Sequence, residues 1–362
     1  MIIVDAHQDL AWNMLTFERD YTRSAAETRR LEMNSPAPKL NGDTLLGWPD
    51  YQRGRVTTVF ATLFCAPERH RLGEWDTQAY RTPIQARHLY SAQLDAYHRL
   101  VDTQPDHFRL IRNRAELETS LSQWDEATSD ECPVGLVILM EGAEGVQEPV
   151  ELEDWWQRGV RLIGPAWAST RFCGGTREPG PLTPEGFALL EGMADFGFTL
   201  DISHMDEQAV LQALDIFPGA IVATHANALA LLKGSDSNRH LSDRVLRGLI
   251  DRHGIIGLVP YNRFLVVGWS PEDGRDAVPL DRLVAQIDYI CQLAGDARHA
   301  GIGSDFDGGF GLQSVPAGID TIADLQILVS LLGEKGYTDN DVAAILGGNW
   351  LSLLHRTLPH QS

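Results

Sequence analysis

Met1-Ile-Ile-Val-Asp-Ala-His-Gln-Asp-Leu10 opens the chain with four mostly apolar residues that run straight into a His-x-Asp pair. The run predicts a short strand over 2–6 that delivers His7 and Asp9 at its C-terminal tip. Alternate residues of an extended chain point to the same side. An imidazole nitrogen and a carboxylate oxygen two positions apart can therefore bind one metal ion. One such pair is not specific, because short strands often end in polar residues. Recurrence makes it so. Gly135-Leu-Val-Ile-Leu-Met-Glu141, Phe198-Thr-Leu-Asp-Ile-Ser-His204 and Ala220-Ile-Val-Ala-Thr-His225 are apolar runs that end in a potential ligand, and Ala300-Gly-Ile-Gly-Ser-Asp305 ends in an acid.

Stretches of helical period lie between these runs, and strand alternating with helix argues for a parallel sheet with crossover helices. Eight strands are expected, at 2–6, 56–64, 135–140, 160–166, 197–203, 220–224, 255–260 and 300–304. Helices are expected from Thr82 to about Val101, after Thr183 with Pro184 at its first position, and after Ser242 as an N-cap. Eight strand-helix units fit a (β/α)8 TIM-type barrel, whose functional residues cluster at the C-terminal ends of the strands. His7, Asp9, Glu141, His204, His225 and Asp305 all fall at such ends. Three histidines and three carboxylates at one rim are the donor set of a zinc hydrolase, and Glu141 has two oxygens with which to bridge two ions.

The length of 362 residues, with no linker or composition break and no internal repeat, is read as one domain over 1–362. Fifty acidic against 30 basic residues give a formal charge of -20, which disfavours nucleic-acid and anionic membrane partners. No run approaches the roughly 20 apolar residues that span a bilayer, and no charged leader with an apolar segment precedes the first strand. Cys65, Cys132, Cys173 and Cys291 have no paired spacing. Idle thiols and a cytoplasmic location are the expectation.

Nine motifs, in order, extend the reading over nearly the whole chain. They are Asp5-Ala-His-Gln-Asp-Leu10, Met140-Glu-Gly-Ala143, Gly159-Val-Arg-Leu162, Leu182-Thr-Pro-Glu-Gly186, Asp201-Ile-Ser-His204, Ala223-Thr-His-Ala226, Asn238-Arg-His-Leu-Ser-Asp243, Gly301-Ile-Gly-Ser-Asp-Phe-Asp-Gly308 and Leu346-Gly-Gly-Asn-Trp-Leu351. With them the chain resembles the membrane dipeptidase (renal dipeptidase) family of metallopeptidases, among the amidohydrolase-like barrels. The resemblance implies two Zn2+ ions per chain, one held by His7 and Asp9, the other by His204 and His225, with Glu141 bridging. It implies that Asp305 takes a proton from the nucleophilic water and passes it to the leaving amine, that Arg239 faces the substrate carboxylate, and that Tyr261 lines the pocket. Asp201 and Asp307 are expected to orient loops or ligands. Dimerisation is common in the family, so a homodimer is compatible with the resemblance.

One position departs from the pattern. Where the family presents a histidine near the end of strand 4, this chain has Trp167. An indole N–H donates one hydrogen bond but cannot become cationic. Either a nearby donor, with Arg171 a candidate, replaces the histidine, or the indole shapes a pocket for another substrate. The implied activity is hydrolysis of dipeptides, including those with a D-residue at the C-terminal position. The alternatives are a deacylase or lactonase of another small carboxylate-bearing substrate, or a catalytically silent metal-binding homologue. The glycine-rich stretch 170–181 is expected at the rim, and the polar stretch 17–46 either covers the mouth or is a surface excursion. Trp155 and Trp156 are read as one buried and one half-exposed ring, and neither His240 nor His253 as a ligand.

Overall fold

The computed structural model describes residues 1–126 and 131–360. All eight anticipated strands form: β1 (Ile3–Gln8), β2 (Val56–Phe64), β3 (Val134–Glu141), β4 (Val160–Gly164), β5 (Thr199–Asp201), β6 (Ile221–Val222), β7 (Ile256–Leu258) and β8 (Ala300–Ile302). They pair in parallel in the order β6-β5-β4-β3-β2-β1-β8-β7. The two end strands meet through a single bridge between Ala223 and Ile256. There the Ala223 N–H donates to Ile255 O at 3.0 Å and the Gly257 N–H to Ala223 O at 2.8 Å. The result is a nearly closed barrel of eight parallel strands ringed by helices.

The strands form where the sequence is continuously apolar, as a sheet covered on both faces requires. Alternation along β1 sends Val4 and Ala6 into an apolar cluster with Phe60, Val137, Leu139 and Trp350, whereas Asp5 and His7 take the other face. Gly303 sits where a Cβ would overlap the Thr224 carbonyl oxygen, so only glycine lets the tips of β6 and β8 approach this closely.

The capping signals were read correctly. Helix α1 (Pro83–Thr103) begins with the Gln85 N–H donating to the Thr82 hydroxyl at 3.3 Å, α2 (Pro184–Phe196) with Gly186 N–H to Thr183 at 3.1 Å, and α3 (Asp243–Asp251) with Val245 N–H to Ser242 at 3.4 Å. Other details differ. Strands β5 to β8 are shorter than expected because their last residues leave the ladder to form the ligand loops. A short strand, Phe108–Leu110, runs beside β3. The anticipated loop at 170–181 contains an antiparallel hairpin, Cys173–Gly175 with Glu178–Leu182. The stretch 17–46 holds helices Ala25–Glu32 and Ala37–Leu40 and is fastened by Arg19, which pairs with Glu32 at 2.9 Å and Asp307 at 3.0 Å. Trp155 is buried and Trp156 half-buried. The four cysteines are buried and none is in a disulfide. No helix among the described residues is long and apolar enough to cross a membrane.

Candidate active site

His7 lies inside β1, one position before its last residue, a small correction to its expected place after the strand. Asp9 follows as the N-cap of helix Leu10–Phe17 but makes no capping hydrogen bond. An aspartate there would ordinarily accept from the helix's first N–H groups. Here its carboxylate faces the barrel axis instead. Glu141 ends β3, and His204, His225 and Asp305 each stand three residues beyond their strands. The left-handed backbone of Asp305 (φ 57°) and Asp307 (φ 64°) turns this last loop back on itself, a conformation aspartate tolerates better than most residues.

The six residues converge. Glu141 lies between the others, with Oε2 3.4 Å from His7 Nε2 and Oε1 2.9 Å from His204 Nε2 and 3.5 Å from His225 Nε2. His7 Nε2 is 3.8 Å from Asp9 Oδ2 and 3.9 Å from Asp305 Oδ1. Three overlapping groups, His7–Asp9–Glu141, Glu141–His204–His225 and His7–His225–Asp305, each bring one donor atom per residue within 4.8 Å of the others.

The donor set fits divalent ions on the geometry alone. His204 Nε2 and His225 Nε2 stand 2.9 Å apart beside a carboxylate oxygen, an arrangement that needs a proton or a cation between them. His7 Nε2 and Asp9 Oδ1 are buried without a hydrogen-bond partner, a costly state unless something binds them. Charge balance agrees. Burial pulls His7 down, but Glu141, Asp9 and Asp305 outweigh it and push its pKa up to about 10. Burial also raises Glu141, and His7 and His204 overcome it to hold the carboxylate well below its usual range.

Surrounding hydrogen bonds set the tautomers. The single proton of the Thr224 hydroxyl goes to Asp201 Oδ2 at 2.6 Å, because a carboxylate can only accept. Toward His225 Nδ1, 3.0 Å away, the same hydroxyl must accept. That places the ring proton on Nδ1 and leaves Nε2 with a free lone pair facing the site. Asp201 Oδ1 accepts from Ser203 Oγ at 2.6 Å and from the Thr224 N–H at 3.0 Å. Thr176 in the hairpin turn holds His204 Nδ1 at 2.9 Å. Asp307 takes no part in the donor cluster. It accepts from Tyr21 at 2.9 Å, from the Leu45 N–H at 3.0 Å and from Arg19, buttressing the loop that carries Asp305.

The cluster opens into a cavity of about 320 Å³, at the small end of the roughly 300–1,000 Å³ of ligand pockets. Of the residues expected to meet substrate, Arg239, Tyr261 and Trp167 all line it. Arg239 is buried, donates from Nη1 to Ser203 O at 2.7 Å and from Nη2 to His225 O at 2.6 Å, and keeps Nε without a partner. Tyr261 is stacked on Phe310, with ring centroids 4.2 Å apart. Trp167 lies between Phe64 at 5.2 Å, His70 at 5.8 Å and the ring of His204 at 6.0 Å. Arg171 does not replace the absent histidine, because its guanidinium is tied to Glu144 and to the carbonyls of Val146 and Gln147, away from the cavity lining.

Several wall residues had no sequence signal. Trp12 lines the cavity with a buried Nε1–H that has no partner, and His70, Asp76, Arg177 and Arg263 line it from turns and short helices whose paths follow from tertiary packing. Only Trp12 could have been anticipated, since it lies three residues after Asp9 on a helix that starts at the site.

Comparison with known proteins agrees with this geometry. The family model described as membrane dipeptidase, peptidase family M19, matches residues 1–359. An uncharacterized protein in the pqqA 5′ region of Klebsiella pneumoniae is 32% identical over 257 residues, 68% of this chain and 90% of that protein. The dipeptidase VerJ of Clonostachys rogersoniana is 23% identical over 312 residues, 83% of this chain and 73% of that one. A metallo peptidase from Rhodobacter sphaeroides, solved with a phosphinate mimic of the dipeptide L-Ala-D-Ala, superposes with a TM-score of 0.78 at 24% identity over 99% of both chains. The probable dipeptidase PvdM from Pseudomonas aeruginosa superposes with a TM-score of 0.78 at 21% identity, over 99% of this chain and 96% of that one. At such identities the two structures share a fold with this chain.

Proposed function

Because the chain belongs to the membrane dipeptidase family, peptidase family M19, we propose that it is a dizinc dipeptidase, one domain from end to end. Its substrates are L-Xaa-L-Xaa dipeptides and those with a D-residue at the C-terminal position. The observation that carries this reading is the convergence of His7, Asp9, Glu141, His204, His225 and Asp305 at the floor of a cavity sized for a small molecule. The solved R. sphaeroides relative, with its dipeptide mimic, lends the substrate class.

In this reading His7 and Asp9 hold one zinc, His204 and His225 the other, and Glu141 spans both. Bound there, the ions would supply Lewis acidity and acidify a water. Asp305 holds the proton in transit. Burial pushes its carboxyl above the usual range, His7 opposes the rise, and Asp9 and Glu141 add to it; its place beside His7, 3.9 Å away, is what assigns it the proton-transfer role. Arg239, with its free Nε–H, takes the substrate's terminal carboxylate beside Tyr261. Trp167 and Phe64 form an apolar wall for the other residue. Asp76 also lines the cavity, where its carboxylate accepts from the N–H groups of Leu72 at 3.3 Å and Gln78 at 3.2 Å and so shapes the loop. The orphaned Trp12 Nε1–H offers a donor where the family's histidine is absent.

The test is turnover of a mixed L,L and L,D dipeptide library by metal-reconstituted protein, with metal content measured on the same sample. About two zinc ions per chain and turnover abolished by chelator are expected. Asp305→Asn is expected to cost about 10²- to 10⁴-fold in kcat. Two bound metals with turnover of N-acyl amino acids or lactones but of no dipeptide would overturn the assignment.

A further inference from the structure

Two arginines stand at the mouth of the cavity. Arg177 and Arg263 both line the cavity and are exposed, and among the described residues neither guanidinium has a carboxylate within 4.0 Å or a side-chain hydrogen bond. Arg69, Arg81, Arg112 and Arg158, for comparison, each hold a carboxylate at 3.0 Å or less.

The positions of both are built rather than loose. Arg177 occupies the hairpin turn in a left-handed conformation (φ 68°), which costs a non-glycine residue on the order of 1 kcal/mol. Its N–H donates to Asn238 Oδ1 at 2.9 Å, and Asn238 Nδ2 donates in turn to Gly175 O at 3.0 Å and to Asp206 Oδ2 at 3.1 Å. Arg263 sits in the first turn of helix Asn262–Leu265, directly after Tyr261. The two come from different elements and line the same cavity as Tyr261. Burial raises that phenol, and Arg263 and Arg177 both pull against the rise. Tyr261 itself is fixed between Phe310 at 4.2 Å and Phe264 at 5.0 Å.

Under the dipeptidase reading, Arg239 is occupied by the main-chain carboxylate, so the pair at Tyr261 awaits a second negative charge close by. We infer that Arg177 and Arg263 form a subsite for the side-chain carboxylate of the substrate's C-terminal residue, so that the preferred dipeptides end in aspartate or glutamate. The inference rests on the proposed polarity of the substrate, with its C-terminal residue beside Arg239. Carboxylate recognition by two guanidinium groups is charge-assisted and tolerant of configuration, since the groups reach the side chain from two sides.

Two measurements on the zinc-loaded protein test it. The first compares kcat/KM for Ala-Asp, Ala-Asn, Ala-Glu, Ala-Gln and Ala-Lys, each with an L- and a D-residue at the second position. The second is calorimetric binding of phosphinate isosteres of Ala-Asp and Ala-Asn, which needs no turnover. Acidic ligands are expected to exceed their amides roughly tenfold in both, mostly through KM and less at high salt. The double variant Arg177→Met/Arg263→Met is expected to bring the acid-to-amide ratio close to one, and Arg263→Lys to keep most of it. Equal treatment of acid and amide by both measurements would overturn the subsite. If no dipeptide is cleaved but the acidic isostere still binds tenfold better, the peptidase reading falls and the anion subsite stands.

Discussion

Thr224 shows how much one hydroxyl can govern. It passes its proton to Asp201 and so forces His225 to present a bare Nε2 to the site. Thr224→Val keeps the shape and loses this constraint. Zinc affinity, measured by chelator competition, is expected to fall 10- to 100-fold with the fold intact by circular dichroism. His240 makes a different prediction. Burial, reinforced by Arg239, lowers its pKa to about 3, against 6.5 in the unfolded chain. The unfolded state therefore binds the extra proton first as the pH drops, so stability is full above about 6.5 and is lost on acidification. Between pH 7 and pH 5, urea unfolding is expected to show the wild type losing about 2 kcal/mol more than His240→Gln. The donors His7, Asp9, Glu141, His204, His225 and Asp305 were legible because each ends an apolar run, a pattern written in sequence. Arg177, Arg263 and His70 were not, because the apolar period that marks a strand tip does not mark a residue of a turn or short helix brought in by folding.

At the scale of elements, the segment after β8 is the most constrained. A Cβ on Gly308 would overlap Asp305 Oδ1 and lie 2.8 Å from Asp9 Oδ2. Gly308→Ala is therefore expected to displace both carboxylates and lower kcat by about 100-fold, the usual cost of misplacing reacting groups by an ångström. Its melting temperature should change far less than its turnover, which differential scanning calorimetry beside a rate assay would show. Strands β5, β6 and β8 end three residues before His204, His225 and Asp305. Their final residues spend backbone on ligand loops, and a hydrophobicity pattern continues past the point where ladder pairing stops. The hairpin at 173–182 escaped the sequence reading for the opposite reason, since its glycines and prolines signal a loop although two short segments do pair.

In the whole molecule the candidate ligands come from β1, β3, β5 and β6, with Asp305 from β8, so ions bound there would tie together strands from around the barrel. Metal bound at a thousand times its dissociation constant adds about 4 kcal/mol to folding stability. For a chain of this length that corresponds to roughly 5 °C in melting temperature, to be read as the difference between zinc-loaded and chelator-treated protein. The fold was legible at this scale because eight strand signals alternating with helical stretches suffice to specify it, whereas the bridge at Ala223 and Ile256 that joins β6 to β7 depends on contacts no period reveals. The four-residue turn from Gly175 to Glu178 links these scales. Thr176 steadies a candidate zinc ligand, Arg177 lines the cavity, and Glu178 clasps Arg69 and His70. Under the proposed function, metal retention and substrate choice share this one short turn, so a change of specificity made at Arg177 also disturbs the support of His204.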